Sequence, residues 1–175
     1  IAHGTRALIE FCDDDLSNWY VRVNRARFWA PDAAADPAAV ATLYQALVTV
    51  SRLLAPAAPF MSDAIHRRLT GTSVHLAKFP EASGRRDHPL ENTMEVVRTL
   101  ASLARAAREE KNIRVRQPLS RLKVAIPSSV DRRLFGQLES VLKAEVNVKE
   151  IEIARSEGDV VQLKVKPVFR LFGKE

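Results

Sequence analysis

Arginine, asparagine and aromatic side chains alternate between residues 15 and 29, in the sequence DLSNWYVRVNRARFW. On an α-helix, where successive side chains turn by about 100°, Trp19 and Tyr20 share the face of the apolar Leu16. The opposite face carries Asn18, Arg22 and Arg25. We expect the aromatic pair to pack in a core, whereas the polar face is either a solvated face or an RNA contact. Arg27 lies near the apolar side at the helix end, where it either caps backbone carbonyls or contacts RNA.

A second group of basic residues lies between residues 98 and 117. Arg105 and Arg108 follow Arg98 by seven and ten residues, so the three share one face of a predicted helix. The group continues at Lys111, Arg114, Arg116 and Gln117. If that part is extended, Arg114 and Arg116 point the same way. This face is either an RNA contact or a charged face with local ion pairs, and Arg116 is alternatively a structural link between two parts of the chain.

The residue patterns of most enzyme sites are absent from the sequence. The four histidines and the single cysteine do not have metal-ligand spacing, and no glycine-rich loop opens a helix to hold a phosphate. The acidic run at residues 13–15 has no neighbouring histidine or lysine for acid–base chemistry. We therefore expect no catalytic residue, no metal site and no cofactor in these 175 residues.

Composition bounds the class of protein. The net charge is +6, and arginine supplies 19 of the 27 basic residues, which favours polyanion binding but also fits a biased genome composition. Cys12 is the only cysteine, so no internal disulfide forms, as is typical of the cytoplasm. No apolar run approaches the roughly 18 to 20 residues needed to span a bilayer, and there is no signal peptide. The start without methionine suggests a piece of a longer protein.

The periodicity of apolar residues predicts four helices and then a small α+β unit. The first helix follows the stripe from Leu8 to Val23, passes through the acidic run and ends by Pro31. The second opens at Asp36 and Pro37, which are typical of the N-cap and first helical positions. The third covers residues 60–69, and residues 73–80 are predicted to be extended.

The fourth helix is expected from about residue 90 to 111, with Ala107 among its inward residues. Alternation and helical spacing then predict a β-α-β-β unit, with a turn at residues 157–159 before the last strand. The predicted fold is mainly α: a helical bundle at residues 1–112, followed by a small β-α-β-β unit at residues 113–175.

Five segments of the chain carry a family resemblance. They are residues 15–29, Leu53–Met61 (LLAPAAPFM), Ser73–Pro80 (SVHLAKFP), Arg114–Leu119 (RVRQPL) and Lys166–Arg170 (KPVFR). Together, and in this order, they resemble the anticodon-binding region of isoleucyl-tRNA synthetases. The arginine run after Tyr20 is sparser than in that family, and Ala57 and Ala58 stand where bulkier residues are usual. Residues 17–20 and 116–118 disfavour a valyl- or leucyl-type enzyme.

The resemblance implies a class I synthetase helical bundle that binds the anticodon stem-loop of tRNA(Ile) and contacts the catalytic domain of a parent enzyme. The parent would use ATP and Mg²⁺, whereas the "HIGH" and "KMSKS" signatures are absent from this sequence. The candidate tRNA-binding residues are Asn18, Arg22, Arg25, Arg27, Arg105, Arg108, Lys111, Arg114, Arg116 and Gln117, and the structural signature residues are Trp19, Tyr20 and Trp29.

An alternative function remains open. The bundle would then brace the parent synthetase with only generic phosphate contacts to tRNA, while a further C-terminal segment reads the anticodon bases. Under both interpretations we expect a monomeric, cytoplasmic protein that does not associate with membranes.

Overall fold

The computed structural model describes residues 2–29, 34–82, 84 and 86–154. The chain divides into two compact units, a first unit Ile1–Gly84 and a second unit Arg85–Glu175. The described part is mainly helical, with a small parallel sheet in the second unit. The predicted fold class, a helical bundle with a small α+β unit, is confirmed.

The first unit begins with three helical pieces, where the sequence predicts one α-helix. They are α1 (Ala2–Glu10), a π-helical segment (Phe11–Val21) and α2 (Arg25–Phe28). A π turn contains one residue more than an α turn, so the prediction of a uniform α-helical spacing was wrong for this stretch. The chain does stay helical through the acidic run, and Leu16 is buried as expected.

Helix α3 (Pro37–Leu54) starts where the sequence predicts, because the Asp36 carboxylate accepts hydrogen bonds from the backbone N–H groups of Ala38 and Ala39. By length and composition alone this 18-residue helix, of mean hydropathy 1.2, could cross a membrane. The expectation of no such run was therefore wrong. Helix α3 contacts α1, α2 and α4. Helices of soluble proteins can have the same length and composition.

Helix α4 (Pro59–Thr70) ends at Gly71, whose φ of +78° is the left-handed conformation that favours glycine. Residues Val74–Leu76 then form a short 3-10 turn, not the extended segment expected from the sequence. Asp63 of α4 holds this turn against the helix. Its carboxylate accepts hydrogen bonds from the Ser73 hydroxyl at 2.6 Å and the Val74 N–H at 2.9 Å.

His66 is buried at the centre of α4 and has a structural role. Its Nε2 accepts a hydrogen bond from Arg52 Nε at 3.2 Å, which assigns the ring proton to Nδ1. That Nδ1 donates to the Thr72 carbonyl at 2.9 Å. The side chain therefore ties α3, α4 and the turn after α4 together.

The second unit consists of α5 (His88–Glu110), β1 (Leu119–Val124), α6 (Arg132–Val146) and β2 (Val148–Ile153). The two strands are parallel, with Leu119 opposite Val148 and Val124 opposite Ile153. Helix α5 packs against α6, and their shared core contains Val97, Phe135 and Leu142. Ala107, which was expected to face inward, is exposed, because Ala104 and Arg108 occupy the buried positions of that turn.

The division at residue 84 differs from the boundary predicted after residue 112. Helix α5 belongs to the compact second unit because it packs on α6, and the separation into residues 1–112 and 113–175 stays a proposal. The predicted turn at residues 157–159, the last strand and the segment at residues 166–170 lie outside the described residues.

Candidate nucleic-acid interface

The polar face predicted in the first unit is exposed. We call it the helical face, and it consists of Asn18, Arg22 and Arg25. Arg22 Nε donates to the Asn18 carbonyl at 2.7 Å, and its guanidinium lies 6.0 Å from the centre of the Trp19 ring. The wider π winding has therefore kept the polar side chains on the solvent side.

Aromatic contacts anchor the helical face to the first unit. Tyr20 is half-buried, and its hydroxyl donates to the Ala39 carbonyl of α3 at 3.1 Å. The rings of Tyr20 and Phe28 pack edge to face, with their centroids 6.1 Å apart. The rings of Phe28 and Trp29 pack in the same way, with their centroids 5.7 Å apart. Trp19 is also half-buried. The expectation that Trp19 and Tyr20 face the core agrees with this packing.

Trp29 differs from the other two signature aromatics, because 63% of its surface is exposed. It follows α2 directly, and its backbone N–H donates to the Arg25 carbonyl at 3.0 Å. Trp29 therefore lies one helical turn after Arg25. An exposed indole next to arginine suits stacking with an unpaired base. The family resemblance implied only a structural role for Trp29. Helical spacing does not predict the exposure of Trp29, because the helix is interrupted at Asn24.

Arg27 contacts protein groups. Its Nε and Nη2 lie 2.9 and 2.8 Å from Asp36 Oδ2, and its Nη1 donates to Asn24 Oδ1 at 2.8 Å. The Arg27 hydrogen bond is the largest of the effects that lower the pKa of the Asp36 carboxyl, ahead of the bond from Ala38 N–H. Arg27 thus supports Asp36, the N-cap of α3. The sequence alone did not indicate this pairing. About half of its side chain remains exposed.

Arg108 was predicted on an exposed basic face, but it is only 4% exposed. Its guanidinium donates to the carbonyls of Arg114, Gln117, Val146 and Asn147. A side chain enclosed in this way is not accessible to a phosphate, so we leave Arg108 out of the proposed surface. Arg105 is also engaged, in an ion pair with Glu145 of α6.

The remaining candidates of the second unit are exposed and close together in the chain. We call residues 114–117 the arginine loop, which carries Arg114, Arg116 and Gln117, and Lys111 lies shortly before it in the chain. The Gln117 N–H donates to the Arg114 carbonyl at 3.0 Å, so this part is a turn. The alternation expected for an extended segment was therefore wrong. Lys111 lies 3.7 Å from the Glu110 carboxylate in an exposed pair.

The structure therefore collects the candidates into two groups, one within each unit. The helical face and the arginine loop are exposed, whereas Arg27, Arg105 and Arg108 hold neighbouring elements in place. Among the described residues, no group of three or more histidine, cysteine, aspartate or glutamate side chains is arranged to hold a metal ion.

A family model described as the anticodon-binding domain of tRNA ligase matches residues 2–126, well over half of the chain. The chain belongs to this family. The match includes both the helical face and the arginine loop. These two surfaces are thus parts of an anticodon-binding domain of a tRNA ligase.

Curated relatives specify the kind of ligase to which this anticodon-binding domain is homologous. The isoleucine–tRNA ligase of Porphyromonas gingivalis is 40% identical over 172 residues, covering 96% of this chain and 15% of the relative. Those of Deinococcus radiodurans and Thermobifida fusca are 41% and 43% identical, covering 98% and 97% of the chain and 16% of each relative. The chain spans about a sixth of the length of these relatives. The predicted resemblance to the isoleucyl family is confirmed.

Proposed function

We propose that this anticodon-binding domain binds the anticodon stem-loop of tRNA(Ile) and positions it for aminoacylation catalysed by another part of a longer isoleucine–tRNA ligase. The observation that carries the proposal is the exposure of the helical face next to Trp29, in a chain of the anticodon-binding family. The proposal includes the ATP and Mg²⁺ of the whole ligase, and it assigns neither of them to a residue of this chain.

The helical face has the chemistry that a tRNA loop requires. Arg22 and Arg25 supply guanidinium donors for phosphates, and Asn18 supplies an amide that can pair with a base edge. Trp29 supplies an exposed ring on which an unpaired base can stack. Phosphate contacts position the RNA, whereas the amide and the ring are the groups able to distinguish bases.

The arginine loop supplies a second set of cationic donors. Arg114 and Arg116 are exposed and have no carboxylate partner among the residues that the structure describes. They are therefore available for phosphates, and their contribution to affinity should fall as the salt concentration rises. We assign this loop to phosphate contact and the surroundings of Trp29 to base contact.

Binding of two RNA hairpins of equal length tests the proposal. One hairpin is the anticodon stem-loop of tRNA(Ile), and the other carries the acceptor-stem sequence closed by an unrelated loop. We expect the 175-residue chain to bind the stem-loop about tenfold more tightly at physiological salt, which corresponds to about 1.4 kcal/mol. Equal affinity for the two hairpins would contradict anticodon stem-loop recognition.

A second candidate function is favoured by an apolar groove in the first unit. The groove has a volume of about 600 Å³ and is lined by α1, the start of the π-helical segment, α3, the connection from α3 to α4 and the segment after α4, including Leu8, Phe11, Val50, Leu53 and Phe79. Exposed apolar surface of this kind is typical of a contact with other protein. The domain would then brace the rest of the ligase, and its RNA affinity would not depend on the anticodon sequence.

A further inference from the structure

Arg108 is a buried cation that has carbonyl oxygens as its partners. In the last turn of α5, its Nη1 donates to the carbonyls of Arg114 at 3.2 Å and Gln117 at 3.0 Å. Its Nη2 donates to the carbonyls of Val146 at 2.8 Å and Asn147 at 3.1 Å, at the C-terminus of α6. Helix C-termini have unpaired carbonyls and partial negative charge, which stabilises a guanidinium there.

Asn147 completes the set of donors to the loop. It ends α6 in the left-handed conformation, with φ 52° and ψ 59°. Its Nδ2 donates to the carbonyls of Val115 and Arg116, both at 3.0 Å. The two side chains, Arg108 and Asn147, therefore bind the four consecutive carbonyls of residues 114–117.

Fixing these carbonyls determines what the loop presents to solvent. With the oxygens of residues 114–117 held toward the body of the unit, the N–H groups of Arg114, Val115 and Arg116 have no acceptor among the described residues. The side chains of Arg114, Arg116 and Gln117 are exposed. Consecutive backbone N–H groups flanked by guanidinium groups are a known arrangement for binding anions.

We propose that Arg108 and Asn147 are positioning residues that hold residues 114–117 as a pre-formed phosphate-binding loop for tRNA. This inference rests on the proposed tRNA-binding function and adds to it a mechanism for one surface. A loop that is already ordered does not lose conformational freedom when the RNA binds, and its affinity is correspondingly higher. Arg108, predicted as a direct contact, acts through the loop instead.

Asn147→Gly is the sharpest variant, because glycine favours the left-handed helix end while it removes the Nδ2 donors. Asn112→Gly is the matched control. Asn112 is exposed, also has a left-handed φ of 56°, and follows the C-cap of α5, and its side chain donates to none of the loop carbonyls among the described residues. Both variants should keep the helical circular dichroism and melting behaviour of the parent chain.

The test measures dissociation constants of the labelled anticodon stem-loop in two backgrounds, the parent chain and the double variant R114Q/R116Q. We expect N147G to weaken binding about three- to tenfold in the parent background and to have a smaller effect in R114Q/R116Q, where only the backbone N–H donors of the loop remain. Hydrogen exchange at the Gln117 amide, whose N–H donates to the Arg114 carbonyl, should accelerate in N147G. N112G should leave both the affinity and the exchange at Gln117 unchanged.

Each contrary outcome identifies a different error. Absence of stem-loop binding by the parent chain would overturn the proposed function together with this inference. Tight binding by the parent that R114Q/R116Q leaves intact would overturn only the inference. Equal losses from N147G in both backgrounds would show that Asn147 acts through general stability, which also overturns it.

Discussion

The helical face and the arginine loop both present arginine side chains to solvent, yet different parts of the chain hold them. On the helical face, Arg22 is oriented by its own turn, through the Asn18 carbonyl and the Trp19 ring. In the arginine loop, the backbone is held by Asn147, which lies 31 residues beyond Arg116. The first surface therefore depends on local helical geometry, and the second depends on the tertiary packing of the second unit.

Because the arginine loop depends on tertiary packing, we expect substitutions of buried residues to disturb its structure far more than that of the helical face. The largest effect is expected for Arg108→Met, which removes the buried side-chain donor to the carbonyls of Arg114, Gln117, Val146 and Asn147. We expect a loss of about 3 kcal/mol in the free energy of unfolding, measured with urea. Exposed Arg116→Met is the control, with a change below about 0.5 kcal/mol. Equal stabilities for the two variants would contradict the role assigned to Arg108.

The next largest effect concerns the salt dependence of RNA affinity. R22Q/R25Q and R114Q/R116Q should each reduce the slope of log affinity against log salt by about 1.4, since each lost phosphate contact contributes about 0.7. Arg121→Gln is the control, because Arg121 is exposed but already paired with Glu150 and Glu152. A slope that only one double variant changes would restrict the RNA contact to one surface.

A somewhat smaller effect is expected from the aromatic group that the loop lacks. Trp29→Ala should weaken stem-loop binding by about 1 kcal/mol through loss of base stacking, whereas Trp29→Phe should retain most of the affinity. Neither change should alter the salt slope, because no charge is removed. A change in slope without a loss of affinity would assign Trp29 a role in orienting the neighbouring arginines and not in stacking.

The smallest effect separates the two units by pH. In the first unit, Asp63 holds Ser73 and Val74, and the hydrogen bond from Arg67 is the largest cause of its pKa lying far below the ordinary value. Its contribution to stability is present above the unfolded-state pKa of about 3.9 and is lost as the pH falls toward the folded-state value. Arg67 is exposed to solvent, which screens its ion pair with Asp63, so the effect is modest.

Amide exchange measured as the pH is lowered checks this prediction. After correction for intrinsic rates, exchange at Val74 should accelerate below about pH 4, and this acid sensitivity should be absent in Asp63→Asn. The arginine loop of the second unit is held by Arg108 and the amide of Asn147, and neither of these donors is a carboxyl group. Acid-induced opening at Val74 that persists unchanged in Asp63→Asn would contradict the assignment.

Local signals in the sequence predicted much of the fold. Asp36 and Pro37 mark the start of α3, and Thr70 with Gly71 marks the end of α4, because capping requires only neighbouring residues. The exposure of Arg22 and Arg25 followed from helical periodicity, and it survived the unpredicted π winding. These predictions depend on spacing within one or two turns.

The features that sequence analysis missed depend on residues far apart in the chain. Arg108 has the same spacing as an exposed basic face, and only the approach of Val146 and Asn147 makes it a buried donor. The bond between Tyr20 and Ala39 likewise crosses between elements. A pattern of charges along one helix does not distinguish a solvated arginine from one that donates hydrogen bonds to carbonyls of another element.

We propose that this anticodon-binding domain recognises the anticodon loop of tRNA(Ile). The most direct test is the affinity of the chain for the tRNA(Ile) stem-loop compared with a stem-loop that differs only in the anticodon bases, at one fixed salt concentration. Recognition predicts a loss of about tenfold or more on anticodon substitution. Equal, salt-sensitive affinity for both RNAs would contradict it and would favour the bracing function.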